Sequence, residues 1–265
     1  MVKVIDRWED ETNGFRFTIL DHRSEPHPSP SSILGKWVWG DGGLYEWRAK
    51  VGKVKADEIS KKACEAGNEI HKLLEHGVMA KQQTVPAKWE RLYDETMQWV
   101  EKQGIKSVIG AELPIYHPDY VYAGTADLVV EMADGSIEVW DWKTGDLRGW
   151  DKKTKRYFKY DPHKMVKTGE QVAAYAKAYE AMTGKKVNRI RVINPCVKTK
   201  KLEAKTKYVH IDYLFKGFLH RLEGWKHENF NMLYKGFKRK GILYKWDIEL
   251  VKQDFVEHFN KGGKA

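Results

Sequence analysis

The spacing of apolar positions predicts helices and strands that alternate along the chain. Residues 52–77 carry an apolar stripe at helical spacing, and Gly77 is a plausible end for this helix. The same spacing predicts further helices at 84–103, 169–183, 212–236 and 246–260. Period-two alternation predicts strands at 106–116, 120–131, 137–143, 187–195 and 204–211. This order indicates one α/β domain with a central mixed sheet flanked by helices.

The pattern is weaker near the N-terminus and in one internal segment. Residues 1–30 show no clear period and are expected to be irregular. The stretch at 31–48 predicts two short helices, or a helix and a loop, around a Gly-Asp-Gly-Gly break. The segment 146–168 is expected to be a long basic loop. We divide the domain into an N-terminal helical or irregular cap (1–60), a core (61–211) and a C-terminal helical extension (212–265).

Two of the predicted strands carry charges where apolar residues are usual. Asp127 lies in the strand at 120–131, and Asp141 and Lys143 lie in the strand at 137–143. A charge in apolar surroundings must be paired or must bind a metal, because burying it alone is costly. If the pattern is purely structural, a salt bridge to Lys143 has to satisfy both carboxylates. Convergence of the three groups instead indicates a divalent-metal site for phosphoryl chemistry.

The register of this hairpin decides whether the charges can meet. Side chains alternate across a strand, so Asp141 and Lys143 share a face. With a two-residue loop at the turn signal 134–135, Asp127 would lie opposite Trp142 and on the wrong face. A loop of three or five residues would place Asp127 opposite Lys143 and diagonal to Asp141. A shared site therefore predicts an odd loop or a bulge.

Composition narrows the classes of protein that fit. The chain has 265 residues, of which 42% are hydrophobic, enough for the core of one large or two small domains. It has no apolar run of about 18 residues and no apolar leader, so we expect a cytoplasmic protein without a membrane span. Its two cysteines, Cys64 and Cys196, cannot form a four-cysteine iron–sulfur or zinc site within the chain and suit a reducing compartment.

The net charge of +10 is concentrated in two segments. After the charged hairpin, basic residues alternate with rings at Trp150, Lys152, Lys153, Lys155, Arg156, Tyr157 and Phe158. A second basic cluster spans 185–207. Basic side chains with interleaved rings can follow a phosphate backbone and stack unpaired bases. Lysine runs alone are more often solvated surface, but beside a metal site they favour nucleic acid.

Several motifs follow one another in a familiar order. They are PSPSSIL (28–34), AGNEIHKLLE (66–75), G-x-x-D (124–127), D-x-K-T-G (141–145) and a helix with Gln171 and Tyr175. Together they resemble the PD-(D/E)XK nuclease superfamily, in particular its RecB-like branch of phage exonucleases and the mitochondrial genome maintenance exonuclease. Ser31 stands where that branch usually has threonine. The resemblance implies a restriction-endonuclease-like core with an N-terminal helical cap.

The resemblance also implies roles for individual residues. One or two ions, Mg²⁺ or Mn²⁺, would be held by His71, Asp127, Asp141, the main-chain carbonyl of Trp142 and, as a further acidic position, Glu112. Lys143 would orient or activate the attacking water. Gln171 and Tyr175 would support the site or hold DNA. By contrast, the literal Pro-Asp at Asp119 lies in a predicted turn, where this pair is common for local reasons, and we assign the metal to Asp127.

The expected function is therefore a metal-dependent DNA exonuclease. It would act on single strands or DNA ends in recombination or repair, in a bacterial or phage-infected cell. Trp37, Trp39 and Trp47 could form a cap through which a strand threads. The alternatives are a structure-specific endonuclease on the same core and a non-catalytic DNA-binding protein with a nuclease fold. The sequence does not decide the oligomeric state.

Overall fold

The computed structural model describes residues 4–10, 14–21, 25–36, 42–151, 153–158, 160–239 and 242–246. The described helices are α1 (Pro30–Lys36), α2 (Gly42–Val51), α3 (Lys53–Val78), α4 (Glu90–Glu101), α5 (Pro162–Thr183) and α6 (Ile211–Lys235). The strands are β1 (Val4–Glu9), β2 (Arg16–Leu20), β3 (His27–Pro28), β4 (Ile105–His117), β5 (Tyr122–Met132), β6 (Ile137–Trp142), β7 (Gly149–Asp151), β8 (Arg156–Phe158), β9 (Arg189–Cys196), β10 (Lys201–Tyr208), β11 (Phe237–Arg239) and β12 (Ile242–Tyr244). None of the described helices is long and apolar enough to cross a membrane.

A five-stranded sheet in the order β10-β9-β6-β5-β4 forms the centre of the molecule. β6 and β9 run parallel and the other neighbours run antiparallel, so the sheet is mixed. Leu128 and Val130 pack toward α3 and α4, whereas Val129 packs in the cluster built with α5 and α6. Because β5 is buried on both faces, its sequence is a nearly continuous apolar run. The predicted α/β core with flanking helices is confirmed.

The N-terminal segment differs from its prediction. Residues expected to be irregular contain a three-stranded antiparallel sheet in the order β1-β2-β3. Phe17 and Trp8, paired across β1 and β2, stack with their ring centroids 5.2 Å apart, and Phe17 is buried. α1 and α2 confirm the prediction of two short helices at 31–48. The cap is therefore part sheet and part helix.

The segment 146–168 is not one long loop. β7 and β8 pair as an antiparallel hairpin, and α5 already begins at Pro162 rather than at residue 169. The early start is explained by the N-cap residue of α5, Asp161. Its side chain accepts hydrogen bonds from the main-chain N–H groups of His163 and Lys164, at 3.0 and 3.4 Å. Proline at the first helical position needs no hydrogen bond there. Asp161-Pro162 is thus a helix start that the sequence already contained.

The other predicted helices agree with the structure to different degrees. α3 and α6 confirm the helices predicted at 52–77 and 212–236. α4 begins at Glu90 rather than at 84, because Pro86 falls in a turn closed by the Trp89 N–H on the Pro86 carbonyl at 2.8 Å. A small hairpin, β11–β12, follows α6 and was not predicted. Nearly all of the helix predicted at 246–260 lies outside the described residues. The division of the chain at 60 and 211 stays a prediction.

Candidate active site

The register of β5 and β6 sets which charges face each other. The strands pair Leu128 with Trp140, so continuing the same register places Asp127 level with Asp141. The prediction that Asp127 lies opposite Lys143 is wrong by two positions. A slip of two residues keeps every side chain on its face, so the apolar pattern cannot distinguish the two registers. The prediction that Asp127 lies on the same side of the sheet as Asp141 and Lys143 is confirmed, and all three residues line one cleft.

The turn between the two strands has the predicted odd length. Ala133, Asp134 and Gly135 lie between Met132 and Ser136, whose main-chain N–H and carbonyl join at 2.8 Å. Gly135 has a φ of +78°, a conformation that glycine adopts without steric cost. This turn sets the register in which Asp127 and Asp141 lie level with each other on the same face of the sheet.

Glu112 adds a third carboxylate to this row. The pairs that flank it in β4 and β5 leave Glu112 level with Asp127. Its φ of +48° is in the left-handed region, which is uncommon for a residue with a side chain. Backbone strain of this kind often accompanies function. Glu112, Asp127 and Asp141 therefore follow one another across three neighbouring strands.

His71 reaches the row from α3. A Cβ on buried Gly67 would lie 2.8 Å from Thr144 Oγ1, so glycine lets the helix approach the residues after β6 closely. One turn later, His71 Nδ1 lies 3.6 Å from Asp127 Oδ2 and 4.0 Å from Glu112 Oε1. One ligand atom from each of these three residues falls within 4.8 Å of the others. Carboxylate oxygens are ligands that hard divalent cations prefer, and imidazole is a common ligand of transition-metal ions.

The electrostatics of Asp127 fit a cation site. Its Oδ2 accepts a hydrogen bond from the main-chain N–H of Trp142 at 2.7 Å. Burial, together with the charge of Asp141, raises the pKa of Asp127 well above its usual range. Burial also raises the pKa of Glu112, which has 41% of its side chain exposed. A divalent cation among these carboxylates would stabilise their ionised forms against burial and against their mutual repulsion.

The imidazole of His71 is suited to bind a metal. Burial lowers its pKa, and Lys143 lowers it further, while Asp141 acts in the opposite direction. A histidine with a lowered pKa is neutral at neutral pH, and the neutral ring is the form that coordinates a metal. Trp142 lines the same cleft. The proposed part of its main-chain carbonyl in the metal shell stays a prediction.

Lys143 connects Asp141 to α5. Its ammonium lies 2.6 Å from Asp141 Oδ2 and donates to Gln171 Oε1 at 3.1 Å. Gln171 Nε2 in turn donates to the Tyr175 hydroxyl at 2.7 Å. A Cβ on Gly124 would lie 3.1 Å from the Tyr175 ring, so glycine makes room for this ring beside β5. The structure thus brings Lys143, Gln171 and Tyr175 together beside the carboxylate row.

Lys143 lies just beyond β6, which ends at Trp142, and not within the strand as predicted. Its main chain is nevertheless fixed by β9. The Lys143 N–H donates to the Ile193 carbonyl at 2.8 Å, and the Asn194 amide donates to the carbonyls of Lys143 and Gly145. Sequence reasoning missed Asn194, because its role depends on the parallel pairing of β9 with β6. This side chain holds the turn that carries Lys143.

The cleft has a volume of about 840 Å³ and a wall that the sequence did not predict. The N-terminal sheet and the start of α1 contribute Arg7, Glu9, Arg16, Thr18, Ser29 and Ser31 to its lining, and α3 contributes Asn68, Lys72 and Glu75. One feature of the sequence does point to the N-terminal hairpin: Asn13-Gly14, a favoured turn pair, precedes the alternating stretch that forms β2.

Much of the predicted nucleic-acid segment belongs to the β7–β8 hairpin. Lys153, Lys155 and Arg156 are exposed on the β7–β8 hairpin, whose strands also carry Trp150, Tyr157 and Phe158, and Lys152 lies outside the described residues. Lys153, Lys155 and Arg156 do not line the cleft. Trp37 and Trp39 also lie outside the described residues, and Trp47 of α2 does not line the cleft. Contact of this hairpin with nucleic acid stays a prediction.

Asp119 is an exposed turn residue, and it does not line the cleft. Its main-chain N–H lies 3.3 Å from His117 Nδ1 and donates to it. The literal Pro-Asp pair is thus separate from the carboxylate row.

Comparison with known proteins gives two findings. A family model described as the PD-(D/E)XK nuclease superfamily matches residues 60–234, more than half of the chain. A search of curated proteins gives no match. The matched stretch contains the carboxylate row, His71, Lys143, Gln171 and Tyr175. It excludes the N-terminal sheet.

Proposed function

The chain belongs to the PD-(D/E)XK nuclease superfamily, and on this premise we propose that it is a Mg²⁺- or Mn²⁺-dependent deoxyribonuclease of the RecB-like branch. The observation that carries the proposal is the convergence of His71, Glu112 and Asp127 beside the ion pair of Asp141 and Lys143. A purely structural ion pair would need Lys143 to satisfy both buried aspartates. Among the described residues, the Lys143 ammonium contacts Asp141 and Gln171, which leaves Asp127 available for a cation.

The residues of the site have separable tasks. Asp127, Asp141, Glu112 and His71 would hold one or two ions. The chemistry that such an ion supplies when bound is neutralisation of phosphoryl charge and activation of water. Lys143 donates from Nζ and, next to Asp141, can orient the attacking water. Gln171 holds the ammonium in place, and Tyr175 holds Gln171.

We further propose that the substrate is a single DNA strand or a DNA end. The support is the set of elements that line the cleft, since the N-terminal sheet, α1, α3 and the core sheet all contribute to it. A volume of about 840 Å³ falls in the range of sites that enclose small molecules, which suits one strand better than a duplex. An exonuclease acting in recombination or repair in a bacterial or phage-infected cytoplasm is the role that fits such a substrate.

The proposal is tested by a cleavage assay. Single-stranded, blunt, overhanging and circular DNA, each carrying a label, are incubated with Mg²⁺, with Mn²⁺ or with a chelator. We expect loss of label from ends of linear DNA with either ion, no cleavage with chelator, and intact circles. Cleavage of circles would instead assign endonuclease activity. Absence of cleavage of every substrate with both ions would contradict the proposal and leave a DNA-binding protein.

A further inference from the structure

The hairpin of β1 and β2 has two chemically different faces. Trp8 and Phe17 pair on one face and pack on the core cluster that contains Phe17. On the other face, Arg7 pairs with Thr18, and Arg16 pairs with Glu9. Because side chains alternate along a strand, the apolar face fixes the hairpin to the core and turns the arginines the other way. Both arginines line the cleft.

Hydrogen bonds fix the position of Arg16. Its main-chain N–H donates to Ser32 Oγ at 2.7 Å, and its carbonyl accepts from the Ser29 N–H at 2.9 Å. Ser29 Oγ lies 2.8 Å from Ser32 Oγ, which joins these contacts into one network. The backbone that carries Arg16 is thus held at the start of α1 before any ligand binds. Little conformational entropy remains to be lost there on binding.

Arg7 and Arg16 are both exposed to solvent. Among the described residues, neither Arg7 nor Arg16 has a side-chain hydrogen bond or ion pair. Both line the same cleft as Glu112, Asp127 and Asp141. The N-terminal wall of the cleft therefore carries two positive charges.

The carboxylate row repels a polyanionic substrate, and the two arginines can offset this repulsion. A polyanion that approaches three carboxylates is repelled, and metal ions compensate only the phosphate at the reaction centre. The neighbouring phosphates of the strand need other cations. A guanidinium suits this task, because its planar fork of donors matches the oxygens of a phosphate. The N-terminal hairpin presents two such groups.

We propose that Arg7 and Arg16 bind backbone phosphates next to the scissile one, so that the strand runs between the N-terminal hairpin and the carboxylate row. The proposal rests on the proposed nuclease function. It assigns substrate binding to residues outside the matched stretch 60–234. Because the contacts are to phosphates, they position the strand without reading its sequence. The arginines are positioning groups and take no part in proton transfer.

The test separates strand binding from chemistry. Binding of a fluorescent single-stranded oligonucleotide is measured by anisotropy in chelator over a series of salt concentrations, for wild type and the Arg7→Gln/Arg16→Gln variant. We expect about a tenfold or greater loss of affinity, since hydrogen bonds to charged groups are lost. The slope of log K against log salt should fall by about 1.4, at about 0.7 for each phosphate contact to a single strand. In Mg²⁺, KM should rise while kcat changes less than threefold.

Two controls make the result specific. Arg91→Gln removes the same charge from the exposed side of α4, where Arg91 pairs with Glu95, and should bind like wild type. Arg7→Lys/Arg16→Lys keeps both charges, so it should retain the salt slope and lose affinity. All variants should melt at the wild-type temperature.

The proposal fails if the double glutamine variant has wild-type affinity and salt slope, or if Arg91→Gln weakens binding equally. It also fails if binding is unchanged and kcat alone falls, because the arginines would then act in the chemistry. A wild-type protein that binds DNA but cleaves none contradicts the nuclease function. In that case the chelator experiment still decides the role of the arginines.

Discussion

The Lys143 ammonium lies 2.6 Å from the buried carboxylate of Asp141, which has 2% of its side chain exposed. Lys143 is 24% exposed and extends from the end of the strand into the cleft. A buried carboxylate paired with a partly exposed amine is expensive to maintain as structure alone. The pair is better explained as part of the proposed reactive site, in which Asp141 holds Lys143 beside the residues proposed to bind the metal.

Replacing Lys143 by glutamine should abolish most of the activity. The amide can still contact Asp141, but it carries no charge to orient water or to stabilise the phosphoryl group. We expect kcat to fall by about 10²- to 10⁴-fold, the range typical of a lost acid–base or orienting group. The measurement is single-turnover cleavage at saturating Mg²⁺.

Lys106→Gln is the matched control, because Lys106 of β4 forms an exposed ion pair with Glu131 of β5. It should cleave at the wild-type rate. Wild-type cleavage by Lys143→Gln would show that this amine has no part in the reaction.

Replacing Asp127 by asparagine should stabilise the metal-free protein. Burial and Asp141 raise the pKa of Asp127, so ionising it at neutral pH costs more in the folded protein than in the unfolded chain. Above the unfolded pKa, the native state therefore binds more protons and its stability falls as the pH rises. Asparagine removes this charge, and we expect a gain of about 1 kcal/mol in unfolding free energy at pH 7.5 with chelator.

The same variant should lose its response to metal. Wild type should melt at a higher temperature with Mn²⁺ than with chelator, because the ion binds only the folded site. Asp127→Asn should show a much smaller rise. Equal stabilisation of both proteins by Mn²⁺ would exclude Asp127 as a ligand.

Adding one methyl group at Gly67 should displace His71. The Cβ would lie 2.8 Å from Thr144 Oγ1, so either Thr144 or α3 must move. We expect Gly67→Ala to cost about 1–3 kcal/mol and to lower activity beyond that loss of folded protein. Gly35→Ala is the control, since nothing lies within 4 Å of its Cβ. If Thr144→Ala does not restore part of the activity lost in Gly67→Ala, the close approach is not the cause.

The pH dependence of stability should contain a contribution from His117. Burial is the main cause that lowers its pKa to about 4, with Lys177 acting in the same sense and Asp119 against it. An unfolded histidine titrates near ~6.5. Between these values the unfolded chain binds the proton and the native state does not, so stability is lost as the pH falls.

We expect this loss to be on the order of 2 kcal/mol, after allowance for solvent screening. His117→Phe keeps a ring beside Tyr120 and Tyr122 and should flatten the profile between pH 6.5 and 4. His163→Phe, at an exposed position, should leave it unchanged. Chemical unfolding at several pH values measures both, and identical wild-type and His117→Phe profiles would contradict the assignment.

Much of the active-site hairpin could be predicted from the sequence, because a charged residue in an apolar strand has few comfortable positions. Alternation fixed the shared face of Asp127, Asp141 and Lys143. Alternation could not fix which residue of the second strand lies opposite Asp127, since registers that differ by two residues bury the same side chains. The level pairing of Asp127 with Asp141 depends on the turn at 133–135, which local sequence only narrows.

The N-terminal wall was harder to predict. Three of the six residues of β1 are charged, and its apolar face is defined only once Trp8 stacks on Phe17. Strand pairing of this kind depends on tertiary packing more than on local preference. Arg7 and Arg16 therefore look like ordinary surface residues in the sequence. Their relation to the carboxylate row exists only after the hairpin packs on the core.

The start of α5 was predictable, and Asp161-Pro162 is its recognisable signature. The basic composition of 146–168 favoured a loop, and for this reason the helix start was not predicted. The position of Asn194 was not predictable, since its two carbonyl partners belong to a turn that is distant in sequence and becomes a neighbour through parallel pairing of β6 and β9.

We propose that the carboxylate row is a hydrolytic metal centre. The most direct test compares cleavage of an end-labelled single strand in saturating Mn²⁺ by wild type, Asp141→Asn and Asp119→Asn. The last variant changes the exposed turn aspartate outside the cleft. We predict wild-type cleavage by Asp119→Asn and a loss on the order of 10³-fold in Asp141→Asn. Full cleavage by Asp141→Asn would contradict the account.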